Sequence, residues 1–193
     1  MTEAAPDRTL AVAERLARIL EEAGVRSALI GAAALAVHGY PRATADLDLA
    51  VATDPFTTLR RVRDRVAAEM ACDARLVAPD ADDPLGGVLT VSGPGFDPVQ
   101  VVNFLNPLSA AQNPGAAAVD TALDGLVAGT RLRVVDLPHL VALKLYAGGP
   151  KSRLDVLELL DRNPTAPHDA IAAVCERVHL GDDWRRLLAE RAR

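Results

Sequence analysis

Leu29-Ile30-Gly31-Ala32-Ala33-Ala34-Leu35-Ala36-Val37-His38-Gly39-Tyr40-Pro41-Arg42-Ala43-Thr44-Ala45-Asp46-Leu47-Asp48-Leu49-Ala50-Val51 sets a small-residue turn and a pair of carboxylates one short helix apart. Leu29-Ile30 reads as the end of an apolar strand, Gly31 as a turn where the backbone can approach a ligand closely, and residues 32–38 as a short helix. A second strand is expected over residues 46–52. Residues i and i+2 of a strand share a face, so Asp46 and Asp48 point the same way while Leu47, Leu49 and Val51 enter the core. Two carboxylates about 6 to 7 Å apart repel by roughly 2 to 3 kcal/mol at an effective dielectric of about 20. A divalent cation between them removes that cost. Mg²⁺ takes hard oxygen ligands and bridges one or two carboxylates to substrate phosphates. The pair is therefore a candidate site for a metal-bound phosphate.

A second informative stretch lies downstream, Leu140-Val141-Ala142-Leu143-Lys144-Leu145-Tyr146-Ala147-Gly148-Gly149-Pro150-Lys151-Ser152-Arg153-Leu154-Asp155-Val156. Gly31-Ala32-Ala33 followed by Asp46-Leu47-Asp48 resembles the opening motif of the nucleotidyltransferase fold, a glycine with a small partner at a helix start and then Asp-hydrophobic-Asp on the next strand. The flank from His38 to Thr44 is similar to the AbiEii-like branch, which includes the MenT-type toxins. The downstream stretch resembles that branch's Lys-Leu-x-Ala-Gly-x-x-Lys-Asp-x-x-Asp segment, and together the two cover most of residues 25–162. The resemblance implies an α/β protein with a small mixed sheet flanked by helices and a helical C-terminal part that closes over the cleft.

The pattern departs from the family at three positions. Ala32 replaces the second glycine or serine, and Ser152 replaces the first acid of the downstream pair. The third metal carboxylate belongs on a later strand, and the best candidate, Val99-Gln100-Val101-Val102-Asn103-Phe104, has Gln100 at the aligned position. A neutral amide is no base toward an attacking hydroxyl and binds Mg²⁺ less strongly than a carboxylate. Asp97 could substitute only if a bulge re-aimed it.

At 193 residues the chain is long enough for one substantial core, and half of its residues are hydrophobic with only 3% aromatic, which favours close packing through small side chains. No uninterrupted apolar run reaches the length of a membrane span, and Met1-Thr2-Glu3-Ala4-Ala5-Pro6-Asp7 lacks the basic and apolar parts of a signal peptide. A cytoplasmic protein without a membrane partner is expected. Cys72 and Cys175 lack metal-ligand spacing and read as reduced structural thiols. The formal charge of -5 argues against a surface built for non-specific nucleic-acid binding, but it leaves room for a local basic groove. Arg60, Arg61, Arg63 and Arg65 gather on one expected helix, and Arg185, Arg186, Arg191 and Arg193 at the C-terminus. There are only two lysines against nineteen arginines, and both, Lys144 and Lys151, fall in the downstream motif. A compact ammonium serves as a point charge on a phosphate in a way that a planar guanidinium does not reproduce.

Periodicity and breakers fill in the rest. An amphipathic helix is expected over residues 9–23 with Gly24 ending it, and a helix introduced by Asp54-Pro55 runs to about Glu69. Residues 80–87, rich in Asp, Pro and Gly, read as a loop before a strand pair over residues 88–92 and 99–104. Residues 131–135 form a short strand, Pro138 opens the helix carrying Lys144, Gly148-Gly149-Pro150 breaks it, and a helical region follows from His168. Asn113-Pro114-Gly115 marks a boundary between a core with its N-terminal helix (residues 1–112) and a mainly helical subdomain (residues 113–193).

As the resemblance implies, the protein would move a nucleoside monophosphate from an NTP to an acceptor with release of pyrophosphate. Asp46 and Asp48 would hold Mg²⁺ against the phosphates, and Gly31, Ala32 and Ala33 would cradle the triphosphate. Arg42, Thr44 and Lys151 are candidate phosphate contacts, Lys144 would neutralise charge on the transferred group, and Asp155 would orient Lys144 or a second substrate group. Tyr146 is placed to stack on a base or to edge the core. In this branch the acceptor is often RNA, tRNA among them, and a toxin role brings a cognate antitoxin. The alternatives are a degenerate protein that binds a nucleotide or partner without catalysis, favoured by Gln100 and Ser152, and a transferase acting on a small molecule such as an antibiotic.

Overall fold

The computed structural model describes residues 5–191, so residues 1–4 of the N-terminal stretch and Arg193 of the terminal arginine cluster lie outside the described residues. Helix α1 (Ala5–Glu22) begins earlier than expected and buries Ala13, Leu16, Ile19 and Leu20 along one stripe. Gly24, with φ +76°, ends it: Gly24 N–H donates to Glu21 O and Val25 N–H to Leu20 O, both at 2.9 Å, the paired bonds of a Schellman cap.

The next segments alternate as the sequence predicts. They are β1 (Ser27–Leu29), α2 (Gly31–Val37), β2 (Leu47–Val51) and α3 (Thr58–Glu69). Asp54 accepts from the N–H groups of Phe56 and Thr57, so the turn it stabilises precedes α3. Strand β3 (Asp73–Val77) is not expected from the sequence pattern. It is an edge strand whose exposed Asp73, Arg75 and Val77 leave only the half-buried Ala74 and Leu76 as apolar signal. Strands β4 (Val88–Ser92) and β5 (Val99–Asn103) follow as expected.

The sheet order is β1-β2-β5-β4-β3, with β2 and β5 parallel and the other neighbours antiparallel. Leu49, Val51, Val99 and Val101 point to one face and are fully buried; α1 and α3 pack against the sheet and each other. Asp48, Gln100 and Val102 point to the other face, because Asp48 pairs with Gln100 in the parallel register and side chains alternate along each strand. Buried Asn103 latches the end of this pair: its amide donates to Thr53 O and Gly86 O while its carbonyl accepts from Thr53 N–H.

Helix α4 (Gly115–Asp120), also absent from the sequence-based expectation, packs on β1 and β2, with Gly115 pressed so closely on Phe104 that a Cβ would lie 1.9 Å from its ring. The expected strand near residue 134 is reduced to single bridges, from Val134 to Leu29 and to Leu123. Then come α5 (Leu137–Ala147), capped by the Asp136 carboxylate accepting from His139 N–H, and α6 (Gly149–Arg162). The terminal helical region is two helices, α7 (His168–Arg177) and α8 (Gly181–Arg191), separated where His179 adopts φ +59°. Among the described residues no helix is long and apolar enough to cross a membrane, and both cysteines are free.

Candidate active site

Strand β1, the turn at Gly31 and helix α2 bring the backbone against the first residues of β2. Ile30 N–H donates to Asp48 O at 3.0 Å, and Gly31 sits at φ +61°, where a Cβ would lie 2.2 Å from Asp48 Oδ2. Only glycine satisfies both the left-handed backbone and that contact. The small-residue turn thus packs against Asp48 of the expected carboxylate pair, with Ala32 buried and Ala33 half-buried in the first turn of α2.

Asp46 precedes β2 by one residue. Thr44 Oγ1 donates to Asp46 Oδ1 at 2.7 Å, and Gln100 Nε2 donates to Asp46 Oδ2 at 3.3 Å. Gln100 therefore stands beside both acids, across from Asp48 in the strand register. Asp97 does not join them: it is exposed, its N–H donates to Thr9 Oγ1 of α1, and β5 pairs with β2 in unbroken register without a bulge to re-aim it. Among the described residues no group of three or more metal-ligating side chains gathers, so the hard donors at this place are the Asp46–Asp48 pair.

Burial, with the neighbouring Asp46 charge second, pushes the Asp48 carboxyl up to about 6, against the opposing pull of Lys144 and Arg42. The pair offers hard oxygen donors whose charge Lys144 and Arg42 offset only in part, and it fits Mg²⁺. The sign of the pH dependence follows. Between the ordinary carboxylate value of 3.8 and about 6 the folded chain keeps a proton that the unfolded chain has lost. The stability contributed by neutral Asp48 is complete below about pH 4 and is lost as pH rises through about 6. Asp48→Asn is therefore expected to raise the melting temperature of the metal-free protein by a few degrees at pH 7.5, with the gain vanishing toward pH 4. A calorimetric series across that range checks it, and a pH-independent difference contradicts it.

On the far wall, α5 and α6 contribute Lys144 and Asp155. Asp155 is 2% exposed, and its carboxylate is shared: Arg42 Nε reaches Oδ1 at 3.0 Å, Arg42 Nη2 reaches Oδ2 at 3.2 Å, and Lys144 Nζ reaches Oδ2 at 2.8 Å. Arg42, expected as a phosphate contact, is thus engaged with Asp155. Thr44 is exposed and bonded to Asp46, and Lys151 is exposed on the first turn of α6, outside the cleft lining.

Between sheet and α5 lies a cleft of about 400 Å³, lined by Gly31, Asp48 and Lys144 together with apolar Val102, Leu140 and Leu143. Its outer wall is the loop carrying Asp83, Pro84 and Leu85, opposite Tyr146. Buried Asn106 holds that loop through bonds to Asp80 O and Asp83 O. The composition of residues 80–87 marks a loop, but no local signal ties it to the cleft. A larger hollow of about 720 Å³ lies outside α1, where arginines and acids intermingle, Glu14 accepting from Arg131 N–H for example, and it contains neither carboxylate pair nor glycine turn. Gly31, Asp48 and Lys144 all line the smaller cleft, which has the usual size for a small-molecule site.

Neither a protein-family model nor a curated protein matches the chain. Solved structures do. The antibiotic-resistance factor ANT(2'')-Ia aligns over 95% of this chain and 95% of its own at 11% identity, with a TM-score of 0.56. A candidate nucleotidyltransferase from Thermotoga maritima aligns over 83% of this chain and 94% of its own at 13% identity and TM-score 0.52. An antigenic nucleotidyltransferase-like protein from Paracoccidioides brasiliensis aligns over 97% and 95% at 17% identity and TM-score 0.50. Sequence identities this low carry the architecture alone, and that architecture agrees with the five-stranded mixed sheet flanked by helices described above: the chain has the nucleotidyltransferase fold.

Proposed function

We propose that this protein is a Mg²⁺-dependent nucleotidyltransferase that moves a nucleoside monophosphate from an NTP to an acceptor. The observation that carries the reading is the contact of the Gly31 backbone with the Asp48 carboxylate, in the cleft that Lys144 also lines. Asp46 and Asp48 would hold Mg²⁺, which when bound supplies charge neutralisation on the phosphates and orients them. The N–H groups at the start of α2 bind phosphate oxygens, Lys144 places an ammonium where negative charge develops, and the apolar side of the cleft excludes water. The proposed acceptor is RNA, with tRNA first, and the proposed setting is a toxin with a cognate antitoxin, both resting on the likeness of residues 38–44 and 144–155 to the AbiEii-like branch. A small-molecule acceptor is the alternative substrate class; ANT(2'')-Ia has been solved with adenylyl-2''-tobramycin. Gln100 beside Asp46 favours a second reading, a protein that binds nucleotide without transferring it.

Melting temperature with each NTP in Mg²⁺ and in EDTA tests the binding half, since a ligand specific to the folded state stabilises by mass action. Equal shifts in the two media would sink metal bridging. Incubation with each labelled NTP, Mg²⁺ and total RNA then separates transfer from binding. Lys144→Arg is expected to cut transfer by about tenfold or more, because the longer planar head must share Asp155 Oδ2 with Arg42 and cannot act as a point charge. Lys151→Arg, at an exposed position, should be mild. Equal tolerance at both sites would return Lys144 to a structural role.

A further inference from the structure

We infer that Arg42 is a positioning residue that frees Lys144: by holding both oxygens of the buried Asp155, it allows the lysine to leave that carboxylate for a phosphate without stranding an unpaired anion. The inference rests on the proposed phosphate-binding role of the cleft.

The three side chains come from three elements, the loop before β2 (Arg42), α5 (Lys144) and α6 (Asp155), and their contacts are unequal. Lys144 Nζ pairs with Oδ2 at 2.8 Å, an oxygen that Arg42 also holds at 3.2 Å. Arg42 reaches Oδ1 as well, at 3.0 Å. If Lys144 swings away, each oxygen of Asp155 keeps a partner. If Arg42 is lost, both of its hydrogen bonds to Asp155 go, and Lys144 becomes the only cation of this cluster holding the charge.

A carboxylate 2% exposed cannot fall back on water. Removing the last partner of a buried charge is strongly unfavourable, so a lone Lys144 would be trapped on Asp155. With two cations on one anion the cluster carries one surplus positive charge. Lys144 is the member that lines the cleft and Arg42 is not, so the surplus is available on the side where Gly31 and Asp48 lie. Arg42 is also the less suitable of the two to move. Reaching a phosphate would require it to give up both oxygens of Asp155 together, as well as its Nη1 bond to Ala43 O at 3.3 Å.

A double-mutant cycle tests this with inorganic tripolyphosphate and Mg²⁺, which avoids any dependence on the base, titrated calorimetrically into the full chain. Wild type should bind and Lys144→Met should bind at least tenfold more weakly. Arg42→Met should also weaken binding about tenfold or more, although Arg42 touches no ligand. Combining Arg42→Met with Asp155→Asn should restore affinity to within about threefold of wild type, because a neutral residue 155 no longer traps Lys144. If the double variant stays as weak as Arg42→Met, Arg42 is a direct phosphate ligand and the inference is wrong. Unchanged binding in Arg42→Met also overturns it. Absence of binding by wild type overturns the phosphate reading itself, and this inference with it. Should Arg42→Met fail to fold, Arg42→Lys takes its place, with a smaller loss expected, and the double variant still decides the outcome.

Discussion

Gln100→Asp is expected to raise nucleotidyl transfer by about 10² to 10⁴, the usual worth of a positioned general base. The expectation comes from place and chemistry together. Gln100 pairs with Asp48 across the parallel strands, and its amide donates to Asp46, so an aspartate there would put a third carboxylate against the pair. The amide hydrogen bond now relieves part of the repulsion around Asp46. Replacing it adds negative charge, so the metal-free variant should melt lower than wild type and recover more on adding Mg²⁺. On the proposed reading, in which Asp46 and Asp48 hold a phosphate-bound metal, affinity for the NTP should change little. Single-turnover transfer of labelled NTP, with binding measured separately, resolves these effects. A fully active wild type together with a neutral or harmful Gln100→Asp would refute the view that this residue stands in for a lost acid.

Asp155→Ala is expected to cost about 3–5 kcal/mol of stability, the range found when one partner of a buried ion pair is removed. The substitution leaves Arg42 and Lys144, with side chains 18% and 12% exposed, facing each other without an anion. It also unties the loop before β2 from α5 and α6. For a chain of this length the loss corresponds to a fall in melting temperature of about 10 °C. Arg26→Ala serves as the contrast, because Arg26 pairs with Asp120 in an exposed bridge worth about 0 to 1 kcal/mol. Comparable losses in the two variants would show that burial does not set the value of the Asp155 cluster.

The strand, turn, short helix and second strand from Ser27 to Val51 are legible in the amino-acid sequence. These are consequences of local rules, since periodicity, a turn glycine and alternation along a strand act over a few residues. The face of β5 that carries Gln100 is legible too, because the alternation of Val99, Val101 and Asn103 leaves one side of the strand for it. Edge strand β3 is not legible: charged residues at Asp73 and Arg75 and the turn-like flanks remove the apolar signal that marks a strand, and pairing with β4 supplies what sequence alone lacks.

Chemistry that depends on distant segments stays hidden in the sequence. Arg42 reads as a phosphate contact because it lies close in sequence to Asp46, whereas its partner Asp155 is 113 positions away. The loop around Asp83 reads as a plain turn, although Asn106 draws it to the rim of the cleft. By itself the sequence determined most of the elements, the turn at Gly31 and the facing of the carboxylate pair, because each follows from backbone geometry over a few residues; that Gly31 meets Asp48 came from the packing of the two segments. Only the tertiary structure decided that Arg42 shares Asp155 with Lys144, because a buried carboxylate takes its partners from whatever the packing of α5, α6 and the loop before β2 brings within about 3 Å, and no local pattern encodes that choice.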